Sequence, residues 1–185
     1  ITTKDKLDSS ATRATLAGFT EGDVSAAATV ACWKDADGSL KFVYLSNATA
    51  LTLNAGKTAN LSGNVSIGSL TIGAGAGLIV PAGTDTAKNS LTTETTVTIS
   101  DGGTLTNNGA VTAKSGISTT GSKSTISNGS GSEMITPTVA IGSGGRLTNE
   151  GSIAGSLNNQ GNADLDGGTV SGDIVNSGDV VGTKP

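Results

Sequence analysis

The chain has 185 residues, a formal net charge of −4, 28 glycines and no histidine. Hydrophobic residues make up 35% and charged residues 14%, so the chain is too apolar and too weakly charged to be disordered. The lack of histidine excludes imidazole-based catalysis and histidine zinc sites, and the mild acidity without a basic stripe argues against a nucleic-acid partner.

The sequence contains few signals that indicate where in or outside the cell the protein is located. No apolar run reaches the roughly 20 residues of a membrane-spanning helix, because glycines interrupt the longest candidate, residues 70–80. We therefore expect no membrane span. The sequence begins at Ile1 without an initiator methionine or a visible signal peptide, which we interpret as a mature, processed chain; a trimmed sequence would look the same. Cys32 is the only cysteine; we expect a buried strand residue, with an intermolecular disulfide as the alternative.

A change in composition divides the chain near residue 46. All the aromatic residues precede it: Phe19, Trp33, Phe42 and Tyr44. We therefore predict two parts, an N-terminal arm and aromatic β-hairpin cap at residues 1–45 and a second part at residues 46–185.

The first part contains a hairpin signal. Residues 27–34 and 40–45 are β-prone and flank an Asp-Gly turn at residues 35–39. The Asp35-x-Asp37-Gly38 segment lacks the first and last carboxylates of an EF-hand loop, so we interpret it as a turn. Residues 8–17 fit either a short helix or an extended arm.

The second part is repetitive. Residues 97–111 and 139–153 share a Val-x-Ile strand, a Gly-Gly pair, a Leu-Thr-Asn segment, a glycine and a final valine or isoleucine. Weaker copies begin at Leu51, Leu70, Leu157 and Ile174. The alternation indicates short strands with one buried face, glycine permits positive-φ corners, and Asn-x-Gly is corner chemistry because asparagine tolerates left-handed backbone and bonds its own backbone.

Short strands separated by corners predict an all-β chain, a parallel β-solenoid (β-helix) in which each strand pairs with its counterpart one coil later. Coils of roughly 20 to 30 residues would give about five to seven coils. Residues 84–96 and 115–137 fit the repeat poorly, so we expect them to be loops that bulge from the solenoid.

These Gly-Gly-x-Leu-Thr-Asn-x-Gly-x-Val/Ile strings resemble the coil repeats of bacterial surface β-solenoids, the autotransporter passengers and filamentous-haemagglutinin-like adhesins. The resemblance covers about residues 51–181. It implies a secreted protein on the cell surface with an adhesive or structural role. The chain is much shorter than typical members, shows no C-terminal membrane barrel, and its first 45 residues match none of their motifs.

The search for chemistry leaves few candidates. The acidic residues that cluster near the C-terminus are Asp164, Asp166, Asp173 and Asp179. A carboxylate-pair enzyme would need a cation nearby, and no Lys or Arg lies between Arg146 and Lys184, so we expect no enzyme activity and no cofactor. Calcium binding by these aspartates is an alternative, although residues 167–174 match the calcium-binding nonapeptide only once and poorly.

Threonine ladders suggest ice binding as a further alternative. The pairs are Thr93/Thr95, Thr96/Thr98 and Thr104/Thr106, at no constant coil spacing. They would need to stack on one flat face of the solenoid.

Assembly is the mechanism that the sequence favours. Repeat-like sequence continues through Val181 with no following cap, and a solenoid end without a cap exposes unpaired backbone. We expect head-to-tail stacking into a surface filament whose partner is a copy of the chain. The predicted interface residues are Lys4, Lys6, Arg13, Asp164, Asp166, Asp173, Asp179, Val180 and Val181. The alternative is a fragment of a longer adhesin that binds a cell-surface or glycan ligand.

Overall fold

The computed structural model describes residues 13–15, 19–21, 29–34 and 40–45, and residues 50–182 except 54, 62 and 85–87. These residues form 22 strands and no helix, so the predicted all-β class is confirmed. Most strands are three or four residues long and pair in parallel with a strand one coil later along the chain, which gives a β-solenoid of about 6 turns.

Each turn of the solenoid contributes a strand to each of three faces. Face 1 contains Asn64–Ile67 (β7), Ser90–Thr93 (β10), Ala110–Ala113 (β13), the first part of Glu133–Ile141 (β16), the first part of Ser152–Asn159 (β18) and Thr169–Val170 (β20). Face 2 contains Ala50–Leu53 (β5), Ser69–Ile72 (β8), Thr96–Ile99 (β11), Gly116–Thr119 (β14), the second parts of β16 and β18, and Ile174–Asn176 (β21). Face 3 contains Thr58–Asn60 (β6), Gly77–Val80 (β9), Thr104–Asn107 (β12), Thr125–Asn128 (β15), Arg146–Asn149 (β17), Asn162–Asp164 (β19) and Asp179–Val181 (β22).

The coils differ in length, and the last ones are the shortest. The Thr95 hydroxyl bonds to the carbonyl of Gly68, 27 residues earlier, whereas the Asn159 amide bonds to Asn176, 17 residues later. The range of 20 to 30 residues per coil therefore holds for the middle of the solenoid, and the last coils are tighter than predicted.

A narrow apolar core runs along the solenoid axis. The burial of residues 64–170 alternates along most strands, so that every second side chain points inward. One inward row on face 3 consists of Ala59, Leu78, Leu105, Ile126, Leu147 and Ala163, each at most 2% exposed. Burying such a row along the length of the solenoid is what joins the coils into one structure, since no single coil can bury its own inward side chains.

Glycine corners follow the prediction. Gly102 and Gly144 lie at equivalent corners two coils apart, with φ of 68° and 76°. These are left-handed backbone conformations that cost glycine little, so the two best sequence copies do occupy equivalent coils. Among the described residues, Lys123 is the one non-glycine with positive φ, and it lies at the corner of the intervening coil.

The expectation of bulging loops was wrong for most of residues 84–96 and 115–137. β10, β14 and β15 lie in these stretches as regular solenoid strands, and β16 begins there. The repeat was hidden because polar or small residues fill inward positions: Thr93, Thr119, Asn128 and Ser132 are all at most 5% exposed. A hydrophobic pattern cannot identify a strand whose inward side chains are hydroxyls and amides.

The described strands of the first part cover the N-terminal end of the solenoid. Thr29–Lys34 (β3) and Leu40–Leu45 (β4) form the predicted antiparallel hairpin, and Arg13–Thr15 (β1) pairs with β3, which rules out a helix there. Phe19–Glu21 (β2) pairs antiparallel with β5. β1 lies next to β6 and β7. The turn at residues 35–39 lies outside the described residues, and the domain boundary and the burial of Cys32 stay predictions.

Candidate assembly surface at the last coil

The last described coil has open edges. Its strands are β20, β21 and β22, and among the described strands each bonds to one neighbour only, β18 for the first two and β19 for the third. Each strand therefore presents backbone N–H and C=O groups away from the solenoid. Such an edge is a template for a further strand.

No described residue covers the apolar core at this end. Val180 is 36% exposed although its inward neighbour one coil earlier, Ala163, is 2% exposed. Ile174 is half-buried, whereas its neighbour Leu157 is fully buried. Two more valines of this coil are exposed on the outer side of the solenoid: Val175 on face 2 is 63% exposed and Val181 on face 3 is 65% exposed. The end is thus an apolar patch bordered by open strand edges.

Two columns of asparagine side chains run along the inside of the solenoid. In the first, Asn107 Nδ2 donates to Asn128 Oδ1 at 2.8 Å, and Asn128 Nδ2 donates to Asn149 Oδ1 at 2.7 Å. All three residues are fully buried. In the second, Asn159 Nδ2 donates to Asn176 Oδ1 at 2.8 Å. Among the described residues, no buried side-chain nitrogen or oxygen lacks a partner.

The asparagine columns have a direction. The amide nitrogens donate to the coil that follows in sequence. Asn107, Asn128 and Asn159 donate both to the next asparagine and to a backbone carbonyl. For Asn159 these acceptors are Asn176 Oδ1 and Asp179 O at 2.9 Å, whereas among the described residues Asn149 donates to the carbonyl of Thr169 alone. Asn176 Nδ2 bonds to Gly178 O within its own coil. At the open end, Asn176 therefore presents a donor toward whatever coil comes next.

The sequence predicted corner chemistry for these asparagines but not the columns. The prediction is confirmed where Asn159 Oδ1 accepts from Gly161 N and Asn176 Oδ1 accepts from Gly178 N. None of the described asparagines has positive φ, so the tolerance of left-handed backbone is not used. The spacing of 21 residues from Asn107 to Asn128 and again to Asn149 was the missed signal.

The predicted interface residues are divided between the two ends. Asp173, Asp179, Val180 and Val181 lie on the last coil, and Asp164 and Asp166 on the coil before it. Arg13 lies in β1, which is at the opposite end. Lys4 and Lys6 lie outside the described residues.

The aspartates point outward rather than toward one centre. Asp166, Asp173 and Asp179 are exposed and Asp164 is half-buried, and within the described range no three acidic or cysteine side chains could share a metal ion. Arg146, two coils earlier on face 3, lines a shallow depression with Asp164 and Asp179. No basic residue lies between Arg146 and Lys184 in sequence, but the stacking of the coils brings Arg146 itself next to Asp164 and Asp179.

The threonine pairs do not form one ladder. Thr93 is buried inside the solenoid, Thr96 and Thr98 lie on face 2, and Thr104 and Thr106 lie on face 3. The stacking on one face that ice binding requires is therefore absent for these pairs.

A second surface feature lies midway along the solenoid. Ile135 is 44% exposed on face 1, at a shallow depression of about 570 Å³ that Lys114, Pro137 and Ala154 also line. The Lys114 ammonium is 2.7 Å from a Glu94 carboxylate oxygen.

Comparisons add no relative. Within the described part, no helix is long and apolar enough to cross a membrane. Scans of the chain against family models, curated proteins and solved structures found no match.

Proposed function

We propose that the protein is a structural subunit of an extracellular bacterial surface filament and that copies join head-to-tail through the last coil. The observation that carries the proposal is the contrast between the two ends. β2 and the sheet of β1, β3 and β4 cover the first coil, whereas β20, β21 and β22 leave the apolar core open.

The energetics favour an occupant at the open end. Exposed strand edges pair readily with another chain, and burial of the valines and Ile174 would add about 25 cal/mol for each Å² removed from water. A contact between unlike ends does not close on itself, so each added copy exposes a new open end and the polymer continues. The resemblance to surface β-solenoids supports the extracellular setting.

Charge supports the polarity of the joint. Residues 150–180 contain Glu150 and four aspartates and no Lys or Arg, whereas residues 1–20 contain three basic and two acidic residues. Unlike ends of opposite charge steer association and disfavour joining two acidic ends.

The test is negative-stain electron microscopy of the purified full-length chain beside size-exclusion chromatography over a range of concentrations. We expect uniform fibres. Val180→Lys, which puts a charge at the open core, should abolish them. Ile135→Lys is the matched control, because Ile135 is an apolar residue away from the ends that is at least as exposed as Val180, and fibres should persist. A wild-type chain that stays monomeric at every concentration would contradict the proposal.

The second candidate is a ligand-binding module of an adhesin, and the depression at Ile135 is the observation that favours it. The same two variants separate the candidates. In an adhesin module, Ile135→Lys should abolish binding in a cell-surface or glycan screen, and Val180→Lys should leave it intact.

A further inference from the structure

We propose that residues 1–8 of one copy bind as an added coil on the last coil of the neighbouring copy, in parallel register with residues 174–181. The inference rests on the proposed function, since it names the segment that joins two copies. Residues 1–8 lie outside the described part of the chain. The register places Ile1 opposite Ile174, Thr3 opposite Asn176, Lys6 opposite Asp179 and Leu7 opposite Val180.

The alternation of residues 1–8 matches the open coil. In this register Ile1, Thr3 and Leu7 take inward positions, over Ile174, Asn176 and Val180. These three are the inward residues of β21 and β22 that the open end leaves uncovered. The Ile1-Thr2-Thr3 segment has the pattern of Ile117–Thr119 in β14 and of Leu91–Thr93 in β10: an inward aliphatic residue, an outward hydroxyl and an inward threonine.

The asparagine column selects this segment over the chain's own first coil. The donor of Asn176 requires an acceptor on the added strand. Thr119 stands in the same inward row and its Oγ1 accepts from the backbone of the next coil, at 2.9 Å from Gly142 N, so a threonine can act as an acceptor in this row. In β5 the row is occupied by Leu53, which cannot accept a hydrogen bond and already has β2 as its neighbour.

Charge fixes the same register. Lys6 falls opposite Asp179, which is exposed on the outer side of face 3. An exposed ion pair contributes at most about 1 kcal/mol, so Lys6 acts mainly as a register mark. A shift by one residue would turn Ile1 and Leu7 outward and move Lys6 away from Asp179.

The distances require a second copy. Face 2 has seven parallel strands from β5 to β21, so the ends are about 29 Å apart at 4.7–4.9 Å per strand. From Arg13, at the N-terminal end, back to residue 8 the chain reaches at most about 18 Å. Residue 8 therefore cannot reach Val181 of its own chain in this register.

The corner between the two added strands must differ from those below it. Asp5 falls opposite Gly178, and a Cβ at Gly178 would collide with the carbonyl of Gly161 in the preceding coil. If residue 5 continues the stack at this corner, a glycine fits it better than an aspartate. Asp5→Gly should therefore lower the concentration at which fibres form.

The experiment mixes two single-cysteine variants of the full-length chain in a Cys32→Ser background. One copy carries Lys6→Cys and the other Asp179→Cys. Directly opposed residues on neighbouring strands lie within disulfide range, so oxidation of the mixture should give covalent dimers across the two variants. The control replaces Asp179→Cys by Asp166→Cys, which is equally exposed but faces a different corner, and should give none.

A charge swap supplies the second readout. Lys6→Asp should raise the critical concentration for fibres about tenfold, and addition of Asp179→Lys in the same chain should restore it. The inference would be overturned if the wild-type chain forms fibres but the mixture of Lys6→Cys and Asp179→Cys gives no cross-link. It would also be overturned if Lys6→Asp leaves fibre formation unchanged. Either result leaves the proposed function standing. Failure of the wild-type chain to form fibres would overturn the proposed function itself.

Discussion

One inward row of face 3 differs between the two halves of the solenoid. In the first coils it holds Leu61 and Val80, and in the next three it holds Asn107, Asn128 and Asn149. All five side chains are at most 2% exposed. The same place in the fold is therefore filled by aliphatic groups in one half and by a hydrogen-bonded amide column in the other.

The difference shows what each filling contributes. An aliphatic row stabilises by burial and tolerates a shift of one coil past another by two residues, because the side chains stay inward and one aliphatic group packs much like the next. An amide column stabilises only when every donor meets its acceptor, so it specifies register. The price of that specificity is sensitivity to single substitutions, which the following variants measure.

Asn128→Val should have the largest effect. It leaves Asn107 Nδ2 and Asn149 Oδ1 without their column partners, and it removes the donor to the Ser152 carbonyl and one of the two acceptors of the Ser132 hydroxyl. Buried polar groups that lose a partner cost about 1–3 kcal/mol each, so we expect a loss of about 4 kcal/mol in the free energy of unfolding. Urea denaturation followed by circular dichroism measures it.

Replacement of all three column residues by valine is the control. Removing both partners of a buried hydrogen bond leaves fewer unpaired groups than removing one, so the triple variant should lose less than the sum of the three single variants. Additive losses would show that the column contributes nothing beyond its separate side chains.

The two halves were also unequally predictable from the sequence. Leu51-x-Leu53 and Leu70-x-Ile72 alternate cleanly, and the structure pairs them directly. Gly102 and Gly144 marked equivalent corners, because a corner needs positive φ whatever the neighbouring side chains are. These local rules are enough for the fold class.

The inward polar residues were not predictable by the same rules. Thr119 and Asn128 are polar in sequence and buried in the structure, because a neighbour 20 or so residues away satisfies them. Periodicity within a strand carries no information about such a partner. For the open end, the sequence prediction named Val180 and Val181 but not Asn176, which accepts a hydrogen bond from the buried Asn159 in the coil before it.

Val80→Asn extends the column into the aliphatic half and should have a smaller effect. The Nδ2 of the new asparagine would face Asn107 Oδ1 and gain a partner, whereas its Oδ1 would stay buried and unpaired. We expect a loss of about 2 kcal/mol in the free energy of unfolding. Val97→Asn is the control: the neighbours of Val97 in its row are Leu70 and Ile117, so the new amide finds no partner and the loss should be larger. Equal losses in the two variants would show that the column cannot be extended.

Lys114→Ala should have the smallest effect, because it removes a contact between coils on the outer surface instead of the inside. The Lys114 ammonium lies 2.7 Å from Glu94 and links β10 to β13, but the lysine side chain is 55% exposed. Solvent screens such pairs, so the variant's free energy of unfolding should be lower than that of the wild type by about 0.5 kcal/mol or less. In high salt this difference between variant and wild type should disappear. Urea denaturation of wild type and variant at low and high ionic strength measures both. A loss as large as that of Val80→Asn would mean that outer ion pairs help to set the register of the coils, a role that the structure otherwise assigns to the buried amides.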